Sequence, residues 1–221
     1  MSNLLKLPSF FKTDKLNGAK MVVLILHLVG LFGLSVPQFR PYFQYLTPFH
    51  LLAVTGILLS FHTDFNRRFI FFALFAFTVG MVSEIIGVKT GLIFGEYNYG
   101  PVLGPRLMGV PLIIGLNWFL LVYLTGGILH GWIKSDFLAG AASSLLMVVM
   151  DLILEPVAVA LDFWEWERND IPLSNFAGWF FIAFIIQLAY RKTSFGKKNP
   201  LNVFIFVNLM LFFSILAIIL D

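Results

Sequence analysis

The sequence predicts an all-α integral membrane protein of seven transmembrane helices, with a Gly/Pro-rich re-entrant or lid loop between the third and fourth. Three observations carry that expectation. Of 221 residues, 59% are hydrophobic and 12% charged, against about 25% charged in an ordinary soluble domain, and the mean hydropathy is +0.88. The apolar residues gather into seven stretches, most of them near the roughly 20 residues a helix needs to cross the hydrocarbon core. The basic residues also sort by loop. Eleven fall in the N-terminal stretch and after the second, fourth and sixth spans, and the other four are Arg40, Lys89, Arg106 and Arg168. By the positive-inside rule the N-terminus is cytoplasmic and the C-terminus outside, in a cytoplasmic (inner) membrane. The net charge of +3 is thus a topology signal, and nucleic acid is not an expected partner. Cysteine is absent, which removes disulfides, thiol catalysis and thiolate metal sites.

Residues 1–20 read as a cytoplasmic lead-in to a single membrane domain of residues 21–221. Leu4, Leu5, Leu7, Phe10 and Phe11 would let it lie on the lipid surface, and it lacks the form of a cleaved signal peptide. The expected spans are Met21–Val36, Leu46–Phe61, Phe69–Val88, Leu107–Leu129, Phe137–Leu161, Ser174–Tyr190 and Leu201–Leu220. His27, His50, His62 and His130 fall singly on different segments. Metal ligation needs convergence, so they read as packed or interfacial residues and no metal is expected.

The third span carries Glu84, about 6 Å below its outer end. After it, six glycines and three prolines between Gly87 and Pro111 forbid a continuous helix. Yet Leu92, Ile93, Phe94, Tyr97, Tyr99, Val102 and Leu103 are too apolar for a free loop, and irregular backbone near lipid must be packed or line a cavity. A lid over the outer mouth follows. The fourth span opens on Pro111 and reaches Trp118 seven residues later, and the sixth opens on Pro172 and reaches Trp179 at the same spacing. Each follows an acid-bearing helix and an aromatic, acidic loop. This reads as a weak same-orientation repeat of two hairpins, with a site at their interface.

The fifth span holds Asp151 and Glu155, four residues apart and so on one helix face, at depths of about 15 Å and 9 Å from the outer end. Pro156 disturbs the turn beside them. No lysine or arginine falls inside any span, and a carboxyl without a counter-charge in such surroundings is most cheaply carried in its neutral, proton-bearing form. A proton donor in an aromatic pocket suits one chemistry in particular. Protonation of a trisubstituted alkene gives a tertiary carbocation, which π faces stabilise. Capture by water is hydration, and capture by an internal double bond is cyclisation.

Several motifs together resemble the membrane carotenoid-biosynthesis hydratase family, which includes the γ-carotene 1',2'-hydratases and the bacterioruberin-pathway hydratases. They are Glu84-Ile85-Ile86-Gly87-Val88-Lys89-Thr90-Gly91, Phe94-Gly95-Glu96-Tyr97-Asn98-Tyr99, Leu103-Gly104, Gly109-Val110-Pro111, Asn117-Trp118, Asp151-Leu152-Ile153-Leu154-Glu155-Pro156, Trp164-Glu165-Trp166 and Ile171-Pro172 with Asn175 and Gly178-Trp179. The resemblance covers Glu84 to Trp179, less than half of the chain. It implies addition of water, without a cofactor, across the terminal double bond of a linear ψ end group, with a carotenoid and water as partners within membrane lipid.

From the residues themselves, Asp151 or Glu155 donates the proton, each tuning the other. Glu84 and Glu96 position or deprotonate the water. Asn117 and Asn175 hydrogen-bond it, and Tyr97, Tyr99, Trp118, Trp164 and Trp179 wall the end group, with the site mouth on the outer side. A carotenoid cyclase would share the protonation step, and a polyene-binding or transport protein would also place acids at mid-membrane. A retinal photoreceptor fails because the seventh span has no lysine. A magnesium-dependent prenyltransferase would call for more carboxylates and basic partners.

Overall fold

The computed structural model describes residues 9–168 and 170–220, with side chains described from residue 14. Seven helices in it are long and apolar enough to cross a membrane. They are α1 (Ser9–Ser35), α2 (Arg40–Ser60), α3 (Arg67–Thr90), α4 (Leu112–Leu129), α5 (Asp136–Ala160), α6 (Leu173–Lys192) and α7 (Asn202–Leu220). Four short strands lie between them: β1 (Tyr97–Tyr99), β2 (Arg106–Leu107), β3 (Val110–Pro111) and β4 (Trp164–Trp166).

The ends of the helices differ from expectation for local reasons. The helix of α1 runs back to Ser9, into the stretch expected as a lead-in; residues 1–8, and the side chains of Phe10 and Phe11, lie outside the description. Six residues earlier than expected, α2 begins at Arg40, because Pro41 fits the first turn of a helix. Leu107, expected in the fourth span, sits instead in a β2–β3 hairpin. Met108 and Gly109 turn that hairpin with φ of 53° and 94°. Its helix α4 starts only after Pro111, which caps it.

The most enclosed helix is α4: every residue from Trp118 to Gly126 is buried, as befits a helix apolar on all sides. Around it α3, α5, α6 and α7 pack, with α1 and α2 on one flank. The Gly/Pro-rich loop after α3 forms a cap. Gly91, at φ 66°, stops α3, and β1 then pairs antiparallel with β4 from the α5–α6 loop, in the register Tyr97↔Trp166 and Tyr99↔Trp164. Backbone bonds from Gly100 to Phe163 (2.9 Å) and from Glu167 to Glu96 (3.1 Å) extend the pairing. The two loops thus close one end of the bundle together. The two hairpins also meet below the cap, where Trp118 and Trp179 stack at 4.3 Å between centroids.

Candidate active site

Under the cap, three helices each contribute an acid or amide at nearly one level. Glu84 lies six residues before the end of α3 and Glu155 five before the end of α5, about 9 Å and 7.5 Å down. Asp151 lies one turn below Glu155, and Asn175 sits in the first turn of α6. All four are buried.

Glu84 accepts three hydrogen bonds. Its Oε1 takes the Trp118 indole N–H at 3.0 Å, and its Oε2 takes the hydroxyls of Tyr99, at 2.8 Å, and Tyr97. Glu155 has the same pattern. Its Oε2 accepts from the indoles of Trp164 and Trp166, both at 3.0 Å, and its Oε1 from Asn175 Nδ2 at 3.0 Å. The same Asn175 nitrogen donates to Asp151 Oδ2 at 2.8 Å. One amide therefore joins the two carboxyls of α5. Asp151 Oδ1 is buried without a partner, alone among the six oxygens of the three acids in meeting no donor. No basic side chain pairs with the three acids; among the described residues the ion pair within 4 Å is Arg191–Asp136, at the opposite end of the bundle. Outside the helices, burial and then the neighbouring Glu84 carboxyl push the Tyr97 and Tyr99 phenols well up, so both remain neutral donors.

Two cavities adjoin this cluster. The first, about 20 Å³ in volume, has Glu84, Tyr97, Tyr99 and Glu155 in its wall, and it has room for about one water molecule. The second, about 320 Å³, is almost wholly apolar and runs between α1, α2, α4, α5 and α7. Its size is in the range of small-ligand sites. Val29, Leu46 and Phe49, which line it, are also exposed on the lipid-facing surface. Ile114, Asn117 and Trp164 line both cavities. The polar chamber and the apolar one therefore share a wall.

The structure brings together Glu84, Tyr97, Tyr99, Asn117, Trp118, Asp151, Glu155, Trp164, Asn175 and Trp179. Two roles shift. Trp118 is fully buried and holds Glu84 in place of walling a cavity, and Asp151 stands behind Glu155, off both cavity walls. Glu96 does not join them: it is exposed, just ahead of a strand whose residues alternate buried, exposed, buried. With a period of two, Tyr97 and Tyr99 point inward, so their even-numbered neighbours Glu96 and Asn98 point out. The same alternation reveals a residue the sequence reading left out of the site, Trp166, which faces inward with Trp164 and donates to Glu155.

Seven helices of membrane-spanning length, closed at one end by a cap over a buried set of acids held by aromatic or amide donors beside an apolar cavity, define this as a multi-pass membrane protein with a candidate site under its cap. The family model described as "Carotenoid biosynthesis protein" matches residues 44–220, and the chain belongs to that family. It is 36% identical over 151 residues to bisanhydrobacterioruberin hydratase of Haloarcula japonica, a match covering 64% of this chain and 50% of that protein. The chain thus spans about half the length of the curated relative it matches. No solved structure matches it.

Proposed function

We propose that this protein is a carotenoid hydratase that adds water to the terminal 1',2' double bond of a linear ψ end group, giving a tertiary alcohol without a cofactor. The observation that carries the reading is the wall shared by the two cavities. A polyene tip entering from lipid through the apolar chamber meets, at Asn117 and Trp164, a chamber with acids and room for water.

The Asp151–Glu155 pair holds the proton as one coupled unit, and Glu155, the member on the wall of the small cavity, delivers it, with Asp151 behind it as the supporting carboxyl. Transfer of that proton to the less substituted alkene carbon leaves a tertiary cation against the Trp164 and Trp179 faces. Water in the small cavity, oriented by Asn117 and the two tyrosines, forms the new C–O bond. The proton it sheds goes to Glu84 and returns through the cavity to the pair, so alkene plus water becomes alcohol with no net proton consumed. The capped end, opposite the basic α2–α3, α4–α5 and α6–α7 connections, is the outer face, and the N-terminus lies in the cytoplasm.

Expression in a host accumulating lycopene and γ-carotene, followed by mass analysis of the pigments, tests the proposal. A gain of one water supports it. An isomer of unchanged mass indicates cyclisation, and unaltered pigments indicate binding or transport; either result overturns it.

A further inference from the structure

The apolar chamber is too short to hold a carotenoid. Below Asn117, which stands about 7.5 Å into α4, its lining runs down to Ala53, about 20 Å into α2. Its volume of about 320 Å³ lies at the low end of small-ligand sites. An isoprene unit, with four backbone bonds of about 1.5 Å each, adds roughly 5 Å to an extended chain. The stretch of about 12 Å below Asn117 therefore takes roughly two or three units, far fewer than a carotenoid contains.

The chamber is also open along one side. Val29 on α1 and Leu46, Phe49 and Ala53 on α2 line it and are exposed, whereas its lining on α4, α5 and α7 is buried or half-buried. Leu46, Phe49 and Ala53 recur at helical spacing, so one face of α2 borders both chamber and lipid. The exposed stretch begins about 9 Å below the capped end, at Val29 and Leu46, just below the level of Asn117. A chain whose end lies at Asn117 thus passes back into lipid within a few units, and the rest of it is never enclosed.

Along this path the protein meets only hydrocarbon. Among the described residues no charged side chain lines the chamber, and its polar lining is His50, Asn117, Trp164 and Thr47, whose hydroxyl donates to the Phe43 carbonyl at 3.3 Å. The reacting bond is itself unconjugated. In a ψ end group two saturated carbons separate the terminal isopropylidene from the polyene, so its alkene is the same as the one that ends any linear polyprenyl chain.

We propose that the protein hydrates the ends of linear isoprenoids as a class, so that membrane-resident chains without a conjugated polyene, of the squalene type, are also its substrates. The proposal rests on the hydratase reading and widens its substrate class. The chemistry balances in the same way: a proton goes to the CH carbon of the isopropylidene group, the water oxygen bonds to the dimethyl carbon, and the proton that the water sheds restores the acid pair. One water is added, and nothing is oxidised or reduced. What conjugation changes is the cost of ordering the chain. A polyene enters as a straight rod, whereas the CH₂–CH₂ links of squalene must be fixed on entry, so its kcat/KM should be roughly tenfold lower.

The test is turnover by the full chain in lipid nanodiscs loaded with lycopene, with squalene or with both, the products being identified by mass and by the position of the new hydroxyl in NMR spectra. Each substrate is expected to gain water at its terminal bond, and squalene to slow lycopene hydration in the mixture by competing for one chamber. Lycopene hydrated while squalene is unchanged or cyclised overturns this inference and leaves the hydratase reading standing. Squalene hydrated without slowing lycopene reacts somewhere other than the shared chamber, which also overturns it. Squalene hydrated while lycopene is unaltered supports the wider class and removes the carotenoid reading, and hydration of neither removes both.

Discussion

Replacing each acid by its amide should separate the three carboxyls by stability as well as by activity. The side-chain shape is kept in every case, so what changes is where an NH₂ can be tolerated. At Asp151→Asn the carbonyl oxygen can still accept from Asn175, and the NH₂ takes the position of Oδ1, which has no partner to lose. Stability should change by less than about 1 kcal/mol. At Glu84→Gln the oxygen can face the Trp118 indole and the NH₂ the two tyrosines. Phenol hydroxyls rotate and accept, so the cost is also small, roughly 0–1 kcal/mol. Glu155→Gln has no such freedom: one side meets two indole N–H groups, which never accept, and the other meets Asn175 Nδ2. At least one donor is opposed to a donor, costing about 1–3 kcal/mol. Activity follows a different order, because Asp151→Asn removes one of the two carboxyls that share the proton and should lower turnover by about 10²-fold in a protein that unfolds normally. Thermal unfolding in micelles and pigment conversion in the same preparations give both readouts. Full activity in Asp151→Asn, or a loss of stability there equal to that of Glu155→Gln, would refute the assignment of Asp151 as the supporting carboxyl with an unpartnered oxygen.

The remaining predictions concern the support around the acids. A Cβ added at Gly80 would lie 2.6 Å from Trp118 Cδ1, so Gly80→Ala should cost about 1–3 kcal/mol through overpacking and weaken the near-ultraviolet circular dichroism of the Trp118–Trp179 stack. Because the Tyr97 and Tyr99 phenols are pushed up in the folded protein, folded and unfolded chains bind the same phenol protons below about pH 10. Above it the unfolded chain ionises first; stability should fall there, and fall less steeply in Tyr97→Phe and Tyr99→Phe, as unfolding midpoints against pH will show. Trp166→Phe keeps an aromatic ring but removes one of two indole donors to Glu155 Oε2. It should reduce turnover by roughly tenfold, the equivalent of one net hydrogen bond, with little effect on polyene affinity measured by absorbance titration, since Trp166 does not line the apolar cavity.

How much of this was legible in the sequence depended on how each residue signals its place. Glu84, Asp151 and Glu155 stand out because a carboxyl inside an apolar span is rare and costly, and Trp118 and Trp179 because each falls seven residues after the proline of a Pro-Leu start. Helix ends were less legible. Hydropathy does not distinguish Leu107 in a hairpin from Leu107 in a span, and the first turn of α2 is marked by Pro41 and not by apolar content. Glu96 was drawn into the site by its neighbours Tyr97 and Tyr99, although a tract that forms a strand sends adjacent residues to opposite faces; the pairing of β1 with β4, which fixes that alternation, joins segments far apart in the chain.

The histidines show the same limit from the other direction. Read singly, His27 and His50 are packed or interfacial residues with nothing to join them, because no spacing rule links position 27 on one helix to position 50 on the next. Antiparallel packing of α1 against α2 puts them side by side. The acids could be recognised one at a time, since each is anomalous in its own span. The partner of a buried acceptor such as His27 Nε2 is defined only by what the fold withholds from it. An orphaned buried atom is thus information that exists only once the chain has folded, whereas a carboxyl inside an apolar span is anomalous in the sequence itself.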